Sequence, residues 1–139
     1  MTMRGLVHHI DLTVADKARS RPFYDAVLGF LGYRRSADDE RGSDWDRGGE
    51  PFHSIGIVEA HGQGALRKHD RTSPGLHHLA WAAESREDVD ALHDLLRGIG
   101  ATILDAPADY PRYGPTYYAV FFADPDGLKL EFVFGATGA

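Results

Sequence analysis

Two double histidines stand at the head of short apolar runs. One is His8-His9 in "GLVHHIDLTVAD", Gly5 to Asp16, and the other is His77-His78 in "GLHHLAWAAES", Gly75 to Ser85. A third chemically loaded residue, Glu131, lies among aliphatic and aromatic side chains in "LKLEFVF", Leu128 to Phe134. The chain has no cysteine, which excludes disulfides, thiolate metal sites and a cysteine nucleophile together. Any metal must therefore be held by imidazole nitrogens and carboxylate oxygens.

Strand alternation sorts these residues onto faces. In the first run His8, Ile10, Leu12 and Val14 share one face, and His9, Asp11 and Thr13 share the other. In the second, His77, Leu79 and Trp81 oppose His78, Ala80 and Ala82. In the last, Leu128, Leu130, Phe132 and Phe134 oppose Lys129, Glu131 and Val133. Apolar faces belong under helices, so His9 and His78 look away from them. A mid-strand carboxylate needs a partner, because an unpaired buried charge is costly. Two histidines and one carboxylate on one concave surface would make a facial-triad metal site with open positions. The plainer alternative is that the histidines only pack and that Glu131 pairs with Lys129 or an arginine. His8 and His77 are expected to pack or to support the neighbouring histidine. His53, His61, His69 and His93 show no constellation.

The elements that carry these residues form a repeat. Superposing the two His pairs sets an offset of 69 residues, at which Ile10 meets Leu79, Leu12 meets Trp81 and Gly29 meets Gly98. Each half reads strand–helix–strand–strand–strand, with modules at 5–66 and 75–135 and a linker at Arg67 to Gly75. In the second half Ser85 caps the helix, and Val89, Leu92, Leu95, Leu96 and Ile99 form its apolar face before Gly98 and Gly100 end it. In the first half Asp16 or Ser20 opens a helix buried through Phe23, Val27, Leu28 and Leu31. Pro22 suits only a first turn, which places the regular helix near it. Further strands are expected near Tyr33–Arg35, Phe52–Glu59, Thr102–Leu104, Tyr117–Phe122 and Leu128–Phe134, with a turn at "DPDG", Asp124 to Gly127. Two polar, Gly- or Pro-rich stretches, Ala37 to Pro51 and Asp105 to Pro115, read as long loops.

Composition sets the outer bounds. The 139 residues carry a formal charge of −6, with basic residues scattered rather than clustered. That gives no nucleic-acid footprint. No run approaches the ~20 apolar residues of a membrane span. Met1 to Val7 lacks the apolar core of a signal peptide, so a cytoplasmic location is the expectation.

With these residues in place, the sequence resembles the vicinal oxygen chelate superfamily, which includes glyoxalase I, bleomycin-resistance proteins, fosfomycin-resistance enzymes and extradiol dioxygenases. The resemblance is carried by "HIDLTVAD…FYDAVLGF" (His9 to Phe30), "HHLAWAAESREDVDALHDLLRGIGA" (His77 to Ala101) and "DPDGLKLEFVF" (Asp124 to Phe134). It implies an α+β fold of two βαβββ modules, their curved mixed sheet enclosing a cleft with the helices outside. It implies a divalent metal (Zn, Ni, Mn or Fe) held by His9, His78 and Glu131, in agreement with strand parity. The fourth-strand carboxylate of glyoxalase I falls on Gly56 in "SIGIVEA", and Glu59 points to the opposite face.

The resemblance implies a glyoxalase-like lyase or isomerase acting on a small molecule with adjacent oxygens. Glu131 is the available base, and Asp11, Tyr113, Tyr117 and Phe121 are candidates for contacting substrate. An extradiol-type Fe(II) dioxygenase uses the same ligand set. A fosfomycin-type enzyme fits less well, because Ala119 and Phe121 replace its hydroxyl-bearing residues. A non-catalytic bleomycin-type binder would use an aromatic groove of Trp45, Tyr110, Tyr113, Tyr117 and Phe121. A homodimer is expected, so one site can draw its ligands from one chain or from two.

Overall fold

The computed structural model describes residues 2–135. The chain divides into two compact units, Met1–Arg67 and Lys68–Ala139.

The first unit runs β1 (His9–Val14), α1 (Lys17–Phe30), β2 (Tyr33–Asp38), β3 (Gly42–Arg47) and β4 (His53–Glu59), followed by a short 3-10 turn at Gly62–Leu66. Its sheet has the order β1-β4-β3-β2, with β1 parallel to β4 and the other pairs antiparallel. The second unit runs β5 (Leu79–Ala82), α2 (Arg86–Gly98), β6 (Thr102–Asp109), β7 (Tyr118–Ala123) and β8 (Lys129–Phe134). Its sheet, β5-β8-β7-β6, repeats the same pattern. Each unit is thus a βαβββ module with a mixed four-stranded sheet, and the fold is α+β. Residues 67–78 hold no helix or strand.

Both helices begin at side-chain caps. Asp16 Oδ1 accepts from the amides of Ala18 (2.9 Å) and Arg19 (3.4 Å), supplying donors the first turn leaves open. Pro22 therefore lies well inside α1, not at its start. The backbone bond that proline forfeits is offset by burial of Phe23, Tyr24, Val27 and Leu28 on one face. Ser85 accepts from the Asp88 amide at 3.0 Å, and the Asp88 carboxylate reaches back to the Glu84 amide at 3.0 Å. Val89, Leu92 and Leu96 are buried on α2, whereas Ile99, past its end, is exposed.

Two expected loops are strand in part. Most of Ala37 to Pro51 is the β2–β3 hairpin, turned where the Asp39 carboxylate accepts from the amides of Arg41 and Gly42. The polar residues there are the outward half of an alternation whose inward half is Ser43 and Trp45, both buried. Asp105 to Asp109, the first part of the other stretch, belongs to β6, and 110–115 remains a loop. Pro107 is tolerated because β6 is an edge strand and its register shifts between Asp105 and Ala108. Tyr117 and Leu128 lie just before their strands. Among the described residues no helix is long and apolar enough to cross a membrane.

Candidate metal centre

In the second unit one row crosses three strands. Ala80 on β5 and Phe121 on β7 both lie opposite Glu131 on β8. Ala80 has almost no side chain, and His78, two residues before it, shares its face. His78 Nε2 stands 3.1 Å from Glu131 Oε1, and the Tyr117 hydroxyl donates to Glu131 Oε2. The Glu131 residue is only 1% exposed. Lys129 is on the same strand face, but its ammonium sits 4.7 Å from the centre of the Phe121 ring. Burial, followed by the hydrogen bond to Glu131, pushes the Tyr117 phenol above its ordinary range, which keeps it a donor.

A buried carboxylate shared between an imidazole and a phenol suits a cation. Two donors each about 2.0–2.2 Å from one metal ion, at angles near tetrahedral or octahedral, lie roughly 3 Å apart. His78 and Glu131 fit that separation. Beside them Tyr110 meets Phe121 edge-on at 5.4 Å and stacks against Tyr113 at 6.0 Å. Tyr113 is exposed, with the Arg112 guanidinium over its ring.

In the first unit His9, Asp11 and Thr13 are exposed while Leu12 and Val14 are buried, the expected alternation. His9 Nε2 lies 3.9 Å from Asp11 Oδ2. Asp11, Gly56 and Asp44 form one row across β1, β4 and β3. A Cβ on Gly56 would fall 2.3 Å from Asp11 Oδ1 and 2.5 Å from Asp44 Oδ1. The two aspartates thus occupy the space above the glycine. Desolvation, then the neighbouring Asp11 charge, raises the Asp44 carboxyl. Glu59 faces the helix instead, where its carboxylate accepts from the Lys17 amide at 2.9 Å. An open cavity of about 580 Å³ at the other end of this sheet is lined by Thr13, Arg41, Val58 and Glu59 among others, and includes neither His9 nor Asp11.

The structure thus brings His78, Glu131, Tyr117 and Phe121 together in one unit, and His9 with Asp11 in the other. Among the described residues no three His, Asp or Glu side chains form a ready-made cluster. Trp45 belongs to no aromatic groove. It is buried, with Nε1 donating to Asp25 Oδ1 at 2.9 Å and its ring 6.0 Å from that of Tyr24. Asp44 escapes sequence reading because its strand reads as a loop; the alternation around Trp45 is the signal that finds it.

Comparison with known proteins follows the same lines. The profile of the Glyoxalase/Bleomycin resistance protein/Dioxygenase superfamily matches residues 6–132. The uncharacterized protein YqjT of Bacillus subtilis is 35% identical over 127 residues, covering 91% of this chain and 97% of that protein. A candidate glyoxalase from Bacillus halodurans superposes with a TM-score of 0.80 at 33% identity, covering 94% of this chain and 96% of that one. A glyoxylase/bleomycin resistance protein/dioxygenase domain from Frankia sp. EAN1pec superposes with a TM-score of 0.75 at 27% identity, covering 99% and 96%. The chain belongs to the Glyoxalase/Bleomycin resistance protein/Dioxygenase superfamily.

Proposed function

We propose that this chain is a divalent-metal-dependent enzyme of the glyoxalase type, a lyase or isomerase. Its substrate class is a small molecule that presents two adjacent oxygens to the metal. His9, His78 and Glu131 are the protein ligands. One observation carries the reading: Glu131 is a buried carboxylate whose Oε1 faces an imidazole nitrogen while the nearby lysine turns to an aromatic ring. A buried carboxylate without a fixed cation is costly, and a bound metal removes that cost.

A bound divalent metal would supply Lewis-acid stabilisation of the enolate oxygen that develops when a proton leaves carbon beside a carbonyl. The side chains do the rest. Tyr117 holds Glu131 Oε2 and leaves Oε1 directed at His78. Glu131 is the carboxylate available to take the proton. Tyr113 offers exposed ring surface to the carbon skeleton, and Phe121, buried beneath the Lys129 ammonium, backs the site. On the first unit Asp11, leaning over Gly56, supplies a carboxylate where the fourth strand has none, and it orients substrate or water. The expected homodimer decides whether first-unit and second-unit ligands come from one chain or two.

The test is elemental analysis of untagged protein, with Glu131→Ala as control. Near-stoichiometric metal that is lost in the variant supports the reading, and assays for proton exchange beside the carbonyl of small molecules with adjacent oxygens follow. Iron with catechol cleavage would transfer the protein to the dioxygenases. Failure to load Zn, Ni, Mn or Fe would remove the enzyme reading and leave a binder of aromatic drugs.

A further inference from the structure

In both units the proposed ligand imidazole is joined to the imidazole before it. His8 Nδ1 and His9 Nδ1 are 3.0 Å apart, and His77 Nδ1 and His78 Nδ1 are 2.8 Å apart. The rings meet edge-on in each pair, at 84° and 75°. Two ring nitrogens at this distance share one proton, because two N–H groups would collide and two lone pairs would repel. Each pair therefore contains one Nδ1–H donor and one bare Nδ1 acceptor.

We propose that His8 and His77 are positioning residues for the metal. Each accepts the Nδ1–H of the following histidine, and so leaves Nε2 of His9 and His78 as the lone-pair nitrogen that a divalent cation takes. The inference rests on the metal-dependent reading given above. A metal-bound histidine ordinarily donates its other ring N–H to a carboxylate, a carbonyl or water. Here a second imidazole takes that place, and the sequence repeat places one in each module. The duplication is the argument against chance: two strands of different surroundings, one packed by Phe52 against His8 at 4.9 Å, bring their histidine pairs to the same contact.

The second pair carries a further consequence. Without metal, His78 Nε2 faces a Glu131 oxygen, and an ionised carboxylate only accepts. His78 Nε2 then carries a hydrogen, which a metal on that nitrogen displaces, leaving His78 Nδ1–H to donate to His77 Nδ1.

Histidine-selective 15N labelling with long-range 1H–15N spectra reads each tautomer directly, in metal-free and zinc-loaded protein. The expected result in zinc-loaded protein is a His78 with hydrogen on Nδ1 and none on Nε2, and a His77 whose Nδ1 is bare. In chelator competition His77→Ala should lose about 10–100-fold in zinc affinity. His77→Asn, whose amide oxygen stands near the place of Nδ1, should stay near wild type, which a purely structural role would not predict. A His77 that keeps Nδ1–H with zinc bound, or Ala and Asn variants of equal affinity, would overturn the inference while leaving the metal reading intact. Wild-type protein that takes up no metal would overturn both. The side chain is exposed, so a melting curve for each variant suffices to show that the fold is kept.

Discussion

His78 Nε2, just before β5, and Glu131 Oε1, on β8, stand 3.1 Å apart, with the carboxylate buried and the imidazole partly exposed. This pair ties the stability of the second unit to what occupies it. Removing the charge while keeping the shape should therefore act in opposite directions with and without metal. Metal-free Glu131→Gln should melt at or above wild type, gaining about 1 kcal/mol, because an anion without a fixed cation is no longer buried. Metal-loaded wild type should melt well above the loaded variant. Scanning calorimetry with chelator and with zinc checks both; a metal-free variant clearly less stable than wild type would show that Glu131 is satisfied by His78 and Tyr117 alone.

Glycines 56 and 42 occupy neighbouring strands and should respond differently to one methyl group. A Cβ at Gly56 meets the ends of two aspartate side chains, which can swing aside. Gly56→Ala should shift stability by less than about 1 kcal/mol. A Cβ at Gly42 would lie 2.0 Å from the Ile57 carbonyl oxygen of the paired strand. Backbone cannot yield without loosening the ladder, so Gly42→Ala should cost about 2 kcal/mol or more. Urea denaturation of the two variants measures the contrast, and equal costs would contradict the strand register.

Asp38 should make the first unit acid-sensitive. The Ser43 hydroxyl (2.7 Å) and then Lys17 (3.0 Å), helped by Arg21 (2.8 Å), hold its carboxyl at about 2, below the ordinary 3.8. A depressed folded value means the stabilisation is complete above about pH 4 and is lost as pH falls toward 2. The melting-temperature gap between wild type and Asp38→Asn should accordingly be constant near neutrality and close over that window. A gap that persists at pH 2 would refute the assignment.

Trp45 is a core residue, and its two substitutions should separate ring from hydrogen bond. Trp45→Phe removes the bond to Asp25 and should cost about 1 kcal/mol. Trp45→Ala also opens a cavity and should cost about 3–5 kcal/mol. Chemical denaturation distinguishes them.

Much of this protein is written locally. The two His pairs, the offset of 69 residues, the Ser85 cap and the "DPDG" turn specify a repeated βαβββ unit, because caps, turns and alternation depend on near neighbours. Strand parity alone separates His9 from His8 and puts Glu131 opposite the apolar face of its strand. The extent of β3 and β6 was not legible. Their polar residues and prolines resemble loop composition, and only pairing with β4 and β7 makes them strands. Pairing across strands also decided what a linear pattern cannot hold. It set Asp11 and Asp44 over Gly56, gave Glu131 the Tyr117 hydroxyl and His78, and drew Lys129 onto Phe121. Sequence determines which residues share a face; their partners depend on register between segments far apart in the chain, which tertiary packing alone fixes.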